Sequence, residues 1–186
     1  IIEHIIKITE DNPIISTTGK TSRELFEIRE RNNQSHQNDF LTVGSMGHTS
    51  SIALGVAINK PNEKVWCIDG DGSLLMHMGA VAVVGNIHPN NLVHIVINNE
   101  AHETVGGMPT VANNINLVDI AKACGYSYVA SVDNFKELDD ELNKVKSSNN
   151  LSFIEIKSSI GARKDLGRPT TTAIENKENF MDFLNK

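Results

Sequence analysis

Two short loops carry residues whose types and spacing could do chemistry. The first follows the apolar run Val65 to Ile68 and reads Asp69, Gly70, Asp71, Gly72, Ser73. Two glycines permit a tight strand-to-helix turn. Such a turn would expose the Asp71 carboxylate and aim the amides of Gly72 and Ser73 at an anion docked on a helix N-terminus. The second loop follows the run Leu92 to Ile97 and reads Asn98, Asn99, Glu100, Ala101, His102. Asn99 offers a neutral carbonyl oxygen. If the two strands lie side by side, one carboxylate, one amide and a nearby backbone carbonyl face a single point. That set suits Mg2+, which takes one or two ligands from protein and completes its octahedron with phosphate and water oxygens. The expectation is a joint metal and diphosphate site.

Competing readings fail on spacing. Asp69, Asp71 and Ser73 could start an EF-hand, but Leu74 stands where that loop needs glycine and Ala80 where it needs glutamate. Gly19, Lys20 and Thr21 could end a phosphate-binding P-loop, but its first glycine would fall on Ile14. Either loop alone could be plain turn punctuation. Their joint placement after two buried strands argues against that.

The elements that must position these loops alternate along the chain. Ile14 to Ser16, Val65 to Ile68, Leu92 to Ile97, Tyr126 to Ala130 and Leu151 to Ile156 read as buried strands. Helical spacing fills Ser22 to Glu30, Thr49 to Ile58, Leu74 to Asn86, Leu117 to Ala123, Phe135 to Lys146 and Asn176 to Leu184, and an amphipathic surface helix opens the chain. Residues 32 to 40 and 160 to 172 read as irregular loops. The alternation predicts an α/β fold, a parallel sheet with helices on both faces and ligands at the carboxyl ends of its strands.

Composition narrows the partners. The 186 residues, 39% apolar and 22% charged, suit one domain with one core. A formal charge of −6 gives no general attraction to nucleic acid or anionic membrane, so an anionic ligand needs a local cluster of donors. Cys67 and Cys124 have no metal-type or redox-type spacing and read as free thiols in a reducing compartment, the cytoplasm. No apolar run approaches the length of a membrane helix.

The GDGS and NN pair, with 28 positions from Asp71 to Asn99, resembles the signature of thiamine diphosphate-dependent enzymes. The resemblance implies that Asp71 and Asn99 are side-chain Mg2+ ligands and that Ala101 gives its backbone carbonyl. It also implies that Gly70, Gly72 and Ser73 hold the diphosphate, with Thr18, Gly19, Lys20, Thr21 and Thr104 nearby. Gly44, Ser45 and Met46 would lie beneath the pyrimidine ring, Met46 as the wedge that keeps the cofactor bent. Met46 is equally well placed to be an ordinary gap-filler.

Longer strings, TTGKTSREL from 17, FLTVGSMGHTSSIALG from 40, GDGSLLMHMGA from 70 and NNEAHETVGGMPT from 98, resemble the phosphonopyruvate decarboxylases, with sulfopyruvate decarboxylase β subunits close relatives. This implies non-oxidative loss of carbon dioxide from a small anionic 2-oxo acid. The activating glutamate of such enzymes belongs to a pyrimidine-binding domain. No acidic residue here matches it, so residues 1–186 are expected to be the diphosphate-binding domain, completed by a pyrimidine-binding domain or subunit in an oligomer. Lys20, Arg23, Arg163, Lys164 and Arg168 are the cations available for the substrate, each also readable as a surface charge. His102 and His48 are the candidate proton carriers. The competing reading from another class is a non-catalytic subunit that keeps the cofactor fold for assembly or regulation.

Overall fold

The computed structural model describes residues 1–186. A six-stranded parallel sheet forms its centre, built from β1 (Ile14–Ser16), β2 (Asp39–Leu41), β3 (Val65–Gly70), β4 (Leu92–Asn98), β7 (Tyr128–Val132) and β8 (Ser152–Lys157), in the order β2-β1-β3-β4-β8-β7. A two-stranded antiparallel hairpin, β5 (Ala101–His102) with β6 (Met108–Pro109), stands beyond the end of β4.

Alternation along each strand sends side chains to two separate cores. On one face Ile14, Trp66, Ile68, Val93 and Ile95 meet α1 (Ile2–Thr9), α2 (Lys20–Arg31) and α7 (Phe135–Ser147). On the other, Ile15, Val65, Cys67, Leu92 and Val96 meet α3 (Thr49–Asn59), α5 (Gly79–Ile87), α6 (Leu117–Ala123) and α8 (Ala173–Leu184). The expected parallel sheet with helices on both faces is therefore present. Both cysteines are free thiols, and no helix is long and apolar enough to cross a membrane.

Three elements differ from the sequence expectation. The strand β2 lies within and just beyond the stretch read as a polar loop. Its Asp39 is fully buried because Arg29, on α2, clamps it through Nε at 2.9 Å and Nη2 at 3.0 Å. Asn176 of α8 then covers the outer edge of β2, accepting from Leu41 N at 2.9 Å and donating to Asp39 O at 2.8 Å, which removes an open strand edge. The helix expected over Leu74 to Asn86 is two helices, α4 (Asp71–Met76) and α5, separated where His77 leaves helical backbone. The strand near Tyr126 starts two residues later, at Tyr128, while Tyr126 packs inward with its hydroxyl on His94.

Candidate active site

From β1 the chain moves outward to β2, then returns to place β3 on the other side of β1. A reversal of this kind opens a crevice at the carboxyl ends of the strands. A cavity of about 250 Å3 occupies that crevice. It is lined by Thr17 and Thr18 after β1, Gly70 to Ser73 after β3, Asn99 and Ala101 to Thr104 after β4, and Ser158, Ser159, Gly161 and Ala162 after β8.

β3 and β4 are hydrogen-bonded neighbours, with Gly70 opposite Ile97, so the two chemically suggestive loops leave the sheet side by side. Asp71 opens α4 and is buried. Its Oδ2 accepts from Thr110 Oγ1 at 2.6 Å, and its Oδ1 takes no hydrogen bond from the protein. The amides of the first turn of α4 have no intrahelical acceptor, as at any helix start. Asn99 is held by a local turn in which its Oδ1 accepts from Ala101 N at 3.1 Å and its Nδ2 donates to Glu103 Oε2 at 3.2 Å. That turn requires Glu100 to adopt a left-handed φ of 58°.

A second row of contacts fixes these loops. Glu155, in the middle of β8, accepts from Asn98 Nδ2 at 2.7 Å, Lys157 Nζ at 2.8 Å and Ser131 Oγ at 2.9 Å. Burial alone would raise its carboxyl, but these donors outweigh burial and hold it below the ordinary value. Asn98 Oδ1 in turn accepts from Glu100 N at 3.1 Å. Ser73 Oγ joins three segments, accepting from Thr17 Oγ1 and from Gly47 N, each at 3.0 Å. Gly47 has a left-handed φ of 92°, which favours glycine, and a Cβ there would press on Ser73 O at 3.1 Å.

Gly72 marks a closer approach. A Cβ at this position would lie 2.5 Å from Nδ1 and 2.6 Å from Cε1 of His102, so the imidazole rests directly on the start of α4. Met46 forms another part of the cavity wall. Thr18 Oγ1 accepts from Gly44 N at 3.3 Å, tying the loop that contains Gly44, Ser45 and Met46 to the end of β1. Lys20 Nζ donates to Glu103 Oε1 at 2.6 Å. Burial raises the Glu103 carboxyl, but Lys20 and the amides of Ala162 and Gly161 together bring it below its usual range.

The structure brings together at the cavity Thr18, Lys20, Thr21, Met46, Gly70, Asp71, Gly72, Ser73, Asn99, Ala101, His102 and Thr104. Gly19 stands behind the wall, where a Cβ would meet Thr104 Cγ2 at 3.0 Å. Other expected residues lie outside. Gly44 and Ser45 are exposed, and His48 is exposed with its ring edge-on to His77 at 4.5 Å. Arg23 does not line the cavity, and Arg163 pairs with Glu27 and Asp165 on the surface. Lys164 and Arg168 are exposed on the 160 to 172 loop. Sequence reasoning missed Thr17, Thr110 and Glu103 as parts of the site. Thr110 stands at the end of the string NNEAHETVGGMPT, but its contact with Asp71 spans 39 positions and has no local signal.

Comparison with known proteins agrees with this geometry. Residues 17–156 match the family described as thiamine pyrophosphate enzyme, C-terminal TPP binding domain. The chain is 35% identical over 180 residues to a phosphonopyruvate decarboxylase of Streptomyces viridochromogenes, covering 97% of this chain and 44% of that protein. It is 38% identical over 151 residues to the sulfopyruvate decarboxylase subunit beta of Methanocaldococcus jannaschii, covering 78% of this chain and 77% of that subunit. The chain thus spans less than half the length of the phosphonopyruvate decarboxylase and most of the sulfopyruvate subunit. A solved Mycobacterium smegmatis structure, described as that of a thiamin diphosphate-dependent enzyme, superposes with a TM-score of 0.66 at 16% identity over 86% of this chain and 31% of its own. With the two loops, their strands and the cavity between them all accounted for, the chain belongs to the thiamine pyrophosphate enzymes, as their C-terminal TPP binding domain.

Proposed function

We propose that this chain holds the diphosphate and metal of a cytoplasmic decarboxylase that converts 3-phosphonopyruvate to phosphonoacetaldehyde and carbon dioxide. The observation that carries this reading is the meeting of Asp71 and Asn99, from the ends of adjacent strands, at one cavity with the first turn of α4. The donor set fits Mg2+ and a diphosphate. One buried carboxylate has an unbonded oxygen, Asn99 and Ala101 line the same cavity and offer an amide and a backbone oxygen, and Gly72 leaves backbone in place of a side chain. This is the oxygen-rich, singly charged set that leaves coordination positions for phosphate and water.

Thiamine diphosphate, when bound, supplies the electron sink for loss of carbon dioxide from a 2-oxo acid. The protein then has to bind, orient and move protons. Asp71, Asn99 and the Ala101 carbonyl would hold the metal, and the amides of Gly72 and Ser73 would orient the diphosphate. Met46, on the cavity wall, would pack against the cofactor. His102, seated on the start of α4, is placed to carry a proton at a ring nitrogen. Activation requires a glutamate from a pyrimidine-binding domain or subunit, so the working enzyme is an oligomer or a two-domain assembly.

A second reading, sulfopyruvate to sulfoacetaldehyde, is favoured by the 38% identity to the sulfopyruvate subunit against 35% to the phosphonopyruvate enzyme. A side-by-side assay of carbon dioxide release, with the complementary domain, thiamine diphosphate and Mg2+ supplied, separates the two. Faster turnover of phosphonopyruvate is expected. Faster turnover of sulfopyruvate would overturn the substrate choice, and release from neither would overturn the decarboxylase reading in favour of a non-catalytic subunit.

A further inference from the structure

Glu103 is held by more donors than a surface carboxylate needs. Its Oε1 accepts from Lys20 Nζ at 2.6 Å, Ala162 N at 3.0 Å and Gly161 N at 3.1 Å, while Oε2 accepts from Asn99 Nδ2. One ammonium and two consecutive backbone amides converging on a single oxygen is a donor set suited to a phosphate-like group. The donors come from the start of α2 and from the loop after β8, and all three residues line the cavity. The carboxylate that fills the set arrives from elsewhere. Glu103 begins a single helical turn, Glu103–Val105, followed by Gly106 and Gly107, neither of which has an atom within 4 Å of where a Cβ would stand. Thr104 rests against Gly19, but the two glycines that follow leave open space beside the turn, and the Lys20 and Glu103 side chains are 35% and 17% exposed, so a ligand entering the cavity can reach the contact and displace the carboxylate.

We propose that Lys20 and the amides of Gly161 and Ala162 form a subsite for a tetrahedral oxyanion, which Glu103 occupies as a tethered surrogate until the ligand displaces it. For the ligand's identity this rests on the decarboxylase reading, which offers two sources of the same chemistry: the phosphonate or sulfonate tail of the substrate, and the terminal phosphate of the cofactor. Displacement frees Asn99 Nδ2 from Glu103 as well. Occupation of the subsite and release of the metal loop are therefore coupled.

Amide NMR spectra of the full chain test this, with methylphosphonate as the probe for the substrate tail and inorganic pyrophosphate with Mg2+ as the probe for the cofactor. The expected result is that one of these probes shifts the amide signals of Gly161 and Ala162. Glu103→Ala should bind the same probe about tenfold more tightly, because an internal competitor is gone, and Glu103→Gln should move in the same direction with less change in packing. Lys20→Met should abolish the effect in every background. Whichever probe acts identifies the source. If neither probe moves the two amides, or if neither Glu103 variant binds more tightly than wild type, the subsite is refuted. Titration of thiamine diphosphate with Mg2+ into the same samples separates the two readings. A chain that binds the cofactor but leaves these amides unmoved by either probe refutes the subsite alone, and one that responds to methylphosphonate without binding the cofactor refutes the decarboxylase reading alone.

Discussion

Thr110 Oγ1 donates to Asp71 Oδ2 at 2.6 Å, so a carboxylate at the end of β3 is oriented from a residue just beyond the β5–β6 hairpin. The same residue's amide donates to Glu100 O at 2.9 Å. Thr110 thereby ties the two loops of the proposed metal site to each other. Replacing it with valine keeps the shape and removes the hydroxyl. Thr110→Val should weaken Mg2+-dependent binding of thiamine diphosphate by about tenfold, the effect of losing a hydrogen bond to a charged group. Calorimetric titration measures it, and unchanged affinity would remove Thr110 from the site.

Gly72 and His102 exclude one another's side chains. A methyl group on residue 72 would stand 2.5 Å from His102 Nδ1. Gly72→Ala should lower stability by between about 1 and 3 kcal/mol, as overpacking does. Removing the ring should relieve it, so Gly72→Ala combined with His102→Ala should recover most of that loss without recovering turnover. Thermal melting and carbon dioxide release read the two effects separately. Equal melting of the single and double variants would show that the ring is not the obstacle.

Glu155 links acid stability to the site. Its folded carboxyl titrates below the ordinary 4.5, held there by Lys157, Asn98 and Ser131 against the effect of burial. A depressed carboxyl stabilises the fold above its unfolded value, and the contribution disappears as pH falls through the lower folded value. Wild type should therefore exceed Glu155→Gln in stability at neutral pH, with the gap closing below pH 4.5. Urea unfolding across that range tests it, and a gap that is independent of pH would disconnect the carboxylate from its donors.

What the sequence reveals here depends on how local each cause is. Asp71 and Asn99 are legible because each sits in a short polar loop bounded by a buried strand, and adjacency of β3 and β4 follows from ordinary crossover topology. β2 is not, because Asp39 reads as a loop residue until Arg29 neutralises it inside the fold. The break between α4 and α5 hides within a continuous apolar pattern. His48 stands beside the GSMG string, but its side chain is exposed, edge-on to His77, and does not line the cavity. Glu103 is the hardest case. Its partners at 20 and 161 lie 83 and 58 positions away, and only the sheet brings them together.

The most direct test of the metal and diphosphate assignment is calorimetric titration of thiamine diphosphate into the wild-type chain and Asp71→Ala, each with and without Mg2+. Wild type should show saturable binding that requires Mg2+. Asp71→Ala should lose more than about 100-fold in affinity, beyond the cost of disturbing an outer-shell group, with no fall in melting temperature, since the change removes a buried charge. Binding by Asp71→Ala as tight as wild type, or wild-type binding indifferent to Mg2+, would contradict the assignment.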